Sequence, residues 1–169
     1  MDWRKAKVVF LDIDGVLNYA PYRNEQIDKT VDLTRYVDRT LCNMFSGWVN
    51  REGIVVVGVS SWFVGSDKED LKMVSDALGF NIFCTGRHCG GGFGRGTGVL
   101  DFVEENEITK WAIIDDAGAN MYLYPSVIIN GRLGITPYDM LAAKNMIDIG
   151  HSKVQTASYR KLQQQGERK

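Results

Sequence analysis

Cysteine is scarce in this chain, with Cys42, Cys84 and Cys89 the only three in 169 residues. An odd and sparse set makes no disulfide framework and suits free thiols in a reducing compartment. Cys84, His88 and Cys89 lie close together, but the spacing is not that of a zinc ribbon and no second pair completes one. Excess charge of either sign is missing too. With 20 Lys and Arg against 21 Asp and Glu, the net charge of −1 excludes a surface coated in basic groups, so any contact with nucleic acid must be local. No apolar run approaches membrane-spanning length, and the opening MDWRKAK leads into a stretch too short for a signal-peptide core. The expectation is a cytoplasmic protein without a membrane partner. The glycine-rich TGRHCGGGFGRGTG contains neither GxxxxGK[ST] nor a complete GxGxxG, which removes support for a P-loop or a dinucleotide fingerprint. It reads as a loop.

The chain does have the composition of one soluble domain, 44% hydrophobic and 24% charged, with no internal repeat and no second domain. In VVFLDIDGVLN, four apolar residues rich in β-branching form a strand too short for a helix and buried on both faces. Apolar residues at Leu33, Tyr36, Val37, Leu41, Met44, Phe45 and Trp48 then recur at helical intervals until Gly53. IVVVGVSSW is a second buried strand, and Ser66 with Glu69 forms a capping-box pattern before a helix that Gly79 ends. FNIFC reads as a third strand, Val99 to Val103 as a short helix, KWAII as a fourth strand and SVIIN as a fifth. Thr136 and Pro137 start a helix that ends near Gly150. Alternating strands and helices predict an α/β fold, a parallel sheet of about five strands with helices on both faces. The domain spans 1–150, and 151–169 is a basic polar tail, read as solvated and partly frayed.

Three strand ends carry polar groups: Asp12 and Asp14, Ser60 and Ser61, Asp115 and Asp116. Open α/β sheets present ligands at the carboxyl ends of their strands, and Gly15 lets the chain turn away after the first pair. Asp12 and Asp14 on their own also fit a plain strand-to-loop turn that caps backbone groups. Three such ends in one small sheet argue for a site. Carboxylates this close repel unless a cation or a shared proton intervenes, and four of them with hydroxyls suit a hard cation such as Mg²⁺ beside a phosphate.

On these residues the chain resembles the haloacid dehalogenase (HAD) superfamily of aspartate-nucleophile phosphohydrolases, over nearly all of residues 7–149. Asp12-Ile13-Asp14-Gly15 matches the first motif, hhhhDxDG. The resemblance implies a single Rossmann-like HAD domain in which Asp12 is the nucleophile and Asp14 the general acid and then base. An acyl phosphate on Asp12 splits one difficult displacement into two easier ones. Ser60 would bind the phosphoryl oxygens, with Ser61 the alternative. Asp115 and Asp116, ending AIIDD, would complete a Mg²⁺ shell with Asp12 and the backbone carbonyl of Asp14. Asn120 lies where related enzymes often place a further polar residue. For the basic residue of the third motif Arg95 is the first choice, Arg87 the second and Lys110 the third.

SSW, AIIDD and GITPYDMLAAKNMI look most like the HAD domain described among RNA-repair polyproteins and its stand-alone phage and bacterial relatives, and the wider pattern resembles the phosphatase half of polynucleotide kinase-phosphatases. The implied partner is a phosphorylated substrate, a nucleic-acid end or a nucleotide. Gly15, Ser61, Trp62 and Arg87 are its candidate contacts, with Trp62 and Phe63 weighed between stacking on a base and packing. Only about 15 residues follow the first motif before the next helix, which predicts a minimal cap and a role for Arg23, Arg87, His88 and the basic tail in holding a polymer. A small-molecule phosphatase and a non-catalytic phosphate-binding module are the alternatives. A signalling receiver domain is disfavoured, because receivers carry the acidic pair after the first strand and the phosphorylated aspartate after the third.

Overall fold

The computed structural model describes residues 1–18, 32–63, 66–86, 94–117 and 124–166. Arg23, Arg87, His88, Cys89 and Asn120, and most of the segment expected to form the minimal cap, lie outside the described residues.

Five strands form one all-parallel sheet: β1 (Lys7–Leu11), β2 (Ile54–Gly58), β3 (Ile82–Thr85), β4 (Lys110–Asp115) and β5 (Ser126–Ile128), in the order β3-β2-β1-β4-β5. Chain direction leaves β1 towards β2 on one side and β4 on the other, so a topological switch point falls beside β1. There the loops diverge and open a crevice at the carboxyl edge. The register pairs Leu11 of β1 with Gly58 of β2 and with Ile114 of β4, bringing three strand ends level. Parallel strands buried on both faces need no alternation of polarity, and Val8, Val9, Phe10 and Leu11 are all fully buried.

The two faces are filled by different helices. Val9 and Leu11 point into a core built from α1 (Arg39–Glu52), α2 (Lys68–Leu78) and α4 (Pro137–Ile149). Val8 and Phe10 point to the other face, where α3 (Gly94–Glu105) packs through Val99, Leu100 and Val103.

The helix starts differ from the expected ones for local reasons. The first long helix begins at Arg39 rather than near Leu33, because the Asp38 side chain accepts from the N–H groups of Thr40 and Leu41 and so satisfies its first turn. Leu33–Tyr36 is a separate 3₁₀ turn. Asp67, not Ser66, caps α2, accepting from Glu69 N at 2.8 Å and Asp70 N at 2.9 Å. The helix start at Thr136 and the left-handed glycines Gly53 and Gly79 agree with the sequence, and at Thr136 the structure adds a capping box with Asp139. The short helix expected around Val99 to Val103 is longer and begins at Gly94, within the stretch read as loop. Gly96 is glycine for close approach: a Cβ there would lie 2.5 Å from the Tyr124 ring.

The terminal stretch read as a frayed tail forms a further helix, α5 (Lys153–Gly166), docked on α3. Arg160 grips Glu104 through Nε at 3.1 Å and Nη2 at 2.8 Å, and the same Nη2 donates to Asp101 at 2.8 Å. The Tyr159 ring meets Trp111 and Tyr124 edge-on at 6.3 Å each. A sparse but amphipathic apolar stripe explains the miss: the run of glutamines and charges hid one anchoring aromatic. Tyr159→Ala is therefore expected to lower the unfolding free energy by about 1 to 2 kcal/mol, the loss of a half-buried aromatic, in urea denaturation followed by circular dichroism. A frayed tail would leave the midpoint unchanged.

Candidate active site

Strand β1 delivers Asp12 to the carboxyl edge as its first residue beyond the ladder, with its own N–H still donating to Ile114 O at 3.0 Å. Asp12 is 4% exposed, Asp115 and Ser60 are fully buried, and Arg95 is 7% exposed. Four polar side chains in so dry a setting require one another. Arg95, in the first turn of α3, places Nη1 3.1 Å from Asp12 Oδ2 and 2.5 Å from Asp115 Oδ2. The Ser60 hydroxyl, at the end of β2, hydrogen-bonds the Asp12 carboxylate, and Ser61 beside it is exposed.

Carboxylate oxygens of Asp12, Asp115 and Asp116 all lie within 4.8 Å of one another. Gly15 is what permits this approach. It has φ +74°, and a Cβ on it would sit 2.3 Å from Asp116 Oδ2, so any side chain would displace the acidic residue. Burial, and then repulsion from Asp115, push the Asp12 carboxyl up to about 6, against the opposing pull of Arg95, Ser60 and the Ile13 N–H. For Arg95, burial works against the charge, but Asp12 and Asp115 outweigh it and raise its pKa further. Three converging hard oxygen donors whose repulsion a single arginine only partly offsets fit a small divalent cation. Arg95 Nε is buried without a hydrogen-bond partner among the described residues, a donor available to an anion.

Asp14 stands apart from that cluster. Its carboxylate accepts from Trp62 Nε1, 3.2 Å from each oxygen, and from Asn18 Nδ2 at 2.9 Å. Trp62 is 2% exposed, so its ring presents no stacking surface to a base, in keeping with the packing alternative weighed for it. Asn18, fully buried, was not among the sequence candidates; the signal for it was a polar residue closing the apolar run VLN. Lys110 opens β4 at the amino end of the strand and is exposed, far from Asp115 at its carboxyl end. Of the described basic candidates only Arg95 reaches the carboxylates.

A parallel sheet whose central strand ends in DxDG, flanked by a buried serine, an arginine and an acidic pair, defines a HAD-like domain. Residues 8–140 match the family described as the HAD domain in Swiss Army Knife RNA repair proteins, and the chain belongs to that family. No curated protein and no solved structure matches it. Membership supports a HAD-type phosphohydrolase in the general sense, with which the acidic cluster is compatible. Among the described residues no helix is long and apolar enough to cross a membrane.

The raised Asp12 pKa has a stability consequence in metal-free protein. Below the ordinary value of 3.8 the group is protonated in folded and unfolded chains alike. As pH rises from there to about 6, the unfolded chain ionises first, so the native state loses up to about 3 kcal/mol across the window. Asp12→Asn removes that loss. Its stability relative to native protein should therefore grow between about pH 4 and pH 7 in chelator, and the pH-dependent difference should shrink in Mg²⁺, as read from thermal melts.

Proposed function

We propose that this domain is a Mg²⁺-dependent phosphohydrolase with Asp12 as nucleophile, acting on a terminal phosphate of a nucleic acid or nucleotide. The observation that supports the reading best is the convergence on Asp12 of Ser60, Arg95 and the acidic pair, beside a second carboxylate, Asp14, held separately. Asp12, Asp115, Asp116 and the Asp14 backbone carbonyl would hold Mg²⁺, which when bound would neutralise the clustered charge and polarise a phosphoryl oxygen.

This chain's residues divide the rest of the work. An oxygen of Asp12 attacks phosphorus, forming the acyl phosphate as the bond to the leaving oxygen breaks, and Asp14 gives that oxygen its proton. Water then attacks phosphorus, Asp14 takes the proton back, and the bond to Asp12 breaks to release inorganic phosphate and the free carboxylate. The Ser60 hydroxyl and the unpartnered Arg95 Nε supply donors for the phosphoryl oxygens in both steps. Gly15 and Ser61 border the substrate on this reading.

The nucleic-acid assignment draws on the family's description as RNA-repair proteins. Arg87 and those C-terminal basic residues that are not engaged as Arg160 and Lys153 are would hold neighbouring nucleotides, since the net charge offers no broad basic surface.

Three outcomes are expected. Asp12→Asn should fold and lose turnover by at least about 10³-fold, and native protein stripped of metal should fall similarly until Mg²⁺ is restored. Retained turnover in either case would overturn the mechanism. A phosphorylated oligonucleotide should show a higher kcat/KM than the matching mononucleotide, with the advantage shrinking as salt rises. Equal efficiency on a mononucleotide or a sugar phosphate at all salt concentrations would make this a small-molecule phosphatase.

A further inference from the structure

We infer that Trp62 and Asn18 are positioning residues for Asp14, fixing which of its oxygens delivers the proton to the leaving group; this rests on the reading of Asp14 as general acid given above.

Asp14 lies on a turn just beyond β1, where a short carboxylate ordinarily samples several rotamers. Here it is held from two directions. Trp62 reaches it from the 3₁₀ turn Ser61–Phe63 that follows β2, 48 residues away in sequence, with Nε1 3.2 Å from both oxygens. Asn18 reaches it from the same turn, with Nδ2 2.9 Å from Oδ1. Neither clamp can slip easily. The indole has one donor and no acceptor, and at 2% exposure its ring is caged, with Tyr36 edge-on at 6.4 Å. Asn18 is committed at both ends: Oδ1 accepts from Gly15 N at 2.8 Å, and Nδ2 also donates to Tyr36 O at 2.9 Å. That set of bonds also fixes the amide orientation, since the flipped amide would face Gly15 N with a donor.

The two oxygens of Asp14 are thereby made unequal. Among the described residues, Oδ1 receives Asn18 and a share of the indole N–H, whereas Oδ2 receives only that share. Oδ2, which meets the fewer donors, is the oxygen left free to face the leaving group. A buried tryptophan is a costly way to fill space near a carboxylate when phenylalanine would pack as well. Its N–H contributes a hydrogen bond that phenylalanine lacks, and orientation of this kind is worth most in the step that needs proton transfer.

The test separates orientation from packing by the leaving group. Single-turnover release is measured in Mg²⁺ for p-nitrophenyl phosphate, whose leaving oxygen needs no proton, and for a phosphorylated oligonucleotide, whose leaving alkoxide does. Trp62→Phe should slow release from the oligonucleotide by about 10-fold or more and from the aryl ester by far less, and should add nothing further to Asp14→Asn. Replacing Trp62 by 3-benzothienylalanine, which substitutes sulfur for the N–H at nearly constant volume, should do the same, and serves if Trp62→Phe does not fold. In the ¹H–¹⁵N spectrum of a protein with four tryptophans, the one indole peak lost in Trp62→Phe should be the peak that Asp14→Asn shifts. Equal slowing of both substrates, full additivity with Asp14→Asn, or an unmoved indole peak would overturn the proposal. Full activity of Asp14→Asn on the oligonucleotide would instead overturn the reading of Asp14 as the acid, leaving the spectroscopic contact intact.

Discussion

Repulsion among Asp12, Asp115 and Asp116 is the constraint around which the carboxyl edge is organised. Three carboxylates with oxygens within 4.8 Å of one another cannot coexist as anions in a dry crevice without a countercharge. Arg95 supplies one from α3, bridging Asp12 and Asp115 through a single nitrogen. The sheet topology makes the cluster possible, since β1 and β4 are neighbours in parallel register and both end at the switch point. Gly15 makes it tight, because only a residue without a Cβ leaves room for Asp116. Charge, topology and one glycine are thus a single device. A substitution in any of them changes the spacing on which the others depend.

The fold was largely legible because hydrophobic pattern decides a doubly wound sheet. Runs such as VVFL, IVVV and AII have no polar alternation and could belong only to strands covered on both faces. Asp12, Ser60 and the acidic pair were legible for the same reason, each following directly on such a run. Where local cues competed, the reading slipped. Leu33 and Tyr36 matched a helical period, yet the cap at Asp38 decided where the helix starts. The glycine-rich start of α3 looked like loop, yet Gly96 there answers to packing, because close approach to Tyr124 requires a residue without a side chain. In neither case does the period or composition of the segment itself hold the deciding contact.

The pairing of Trp62 with Asp14 shows a different limit. Both residues were visible as candidates, but an aromatic next to a strand end says nothing about which way its edge points. Only the fold puts the indole N–H, rather than the ring face, against the turn after β1. Asn18 was hidden by its neighbours: a polar residue after Val16 and Leu17 reads as the start of a loop, whereas its side chain closes that turn from inside.

Helix α5 lies beyond the residues that match the family, yet it covers the helix that supplies Arg95. Of the described elements it is the last to be translated. When α5 is being translated, β1, β4 and α3 have already been made, and until α5 docks the outer side of α3 lacks that cover. The cation that relieves the carboxylates is therefore buttressed, through α3, by a helix that follows every acidic strand end along the chain, so the support is the last of these parts to be made.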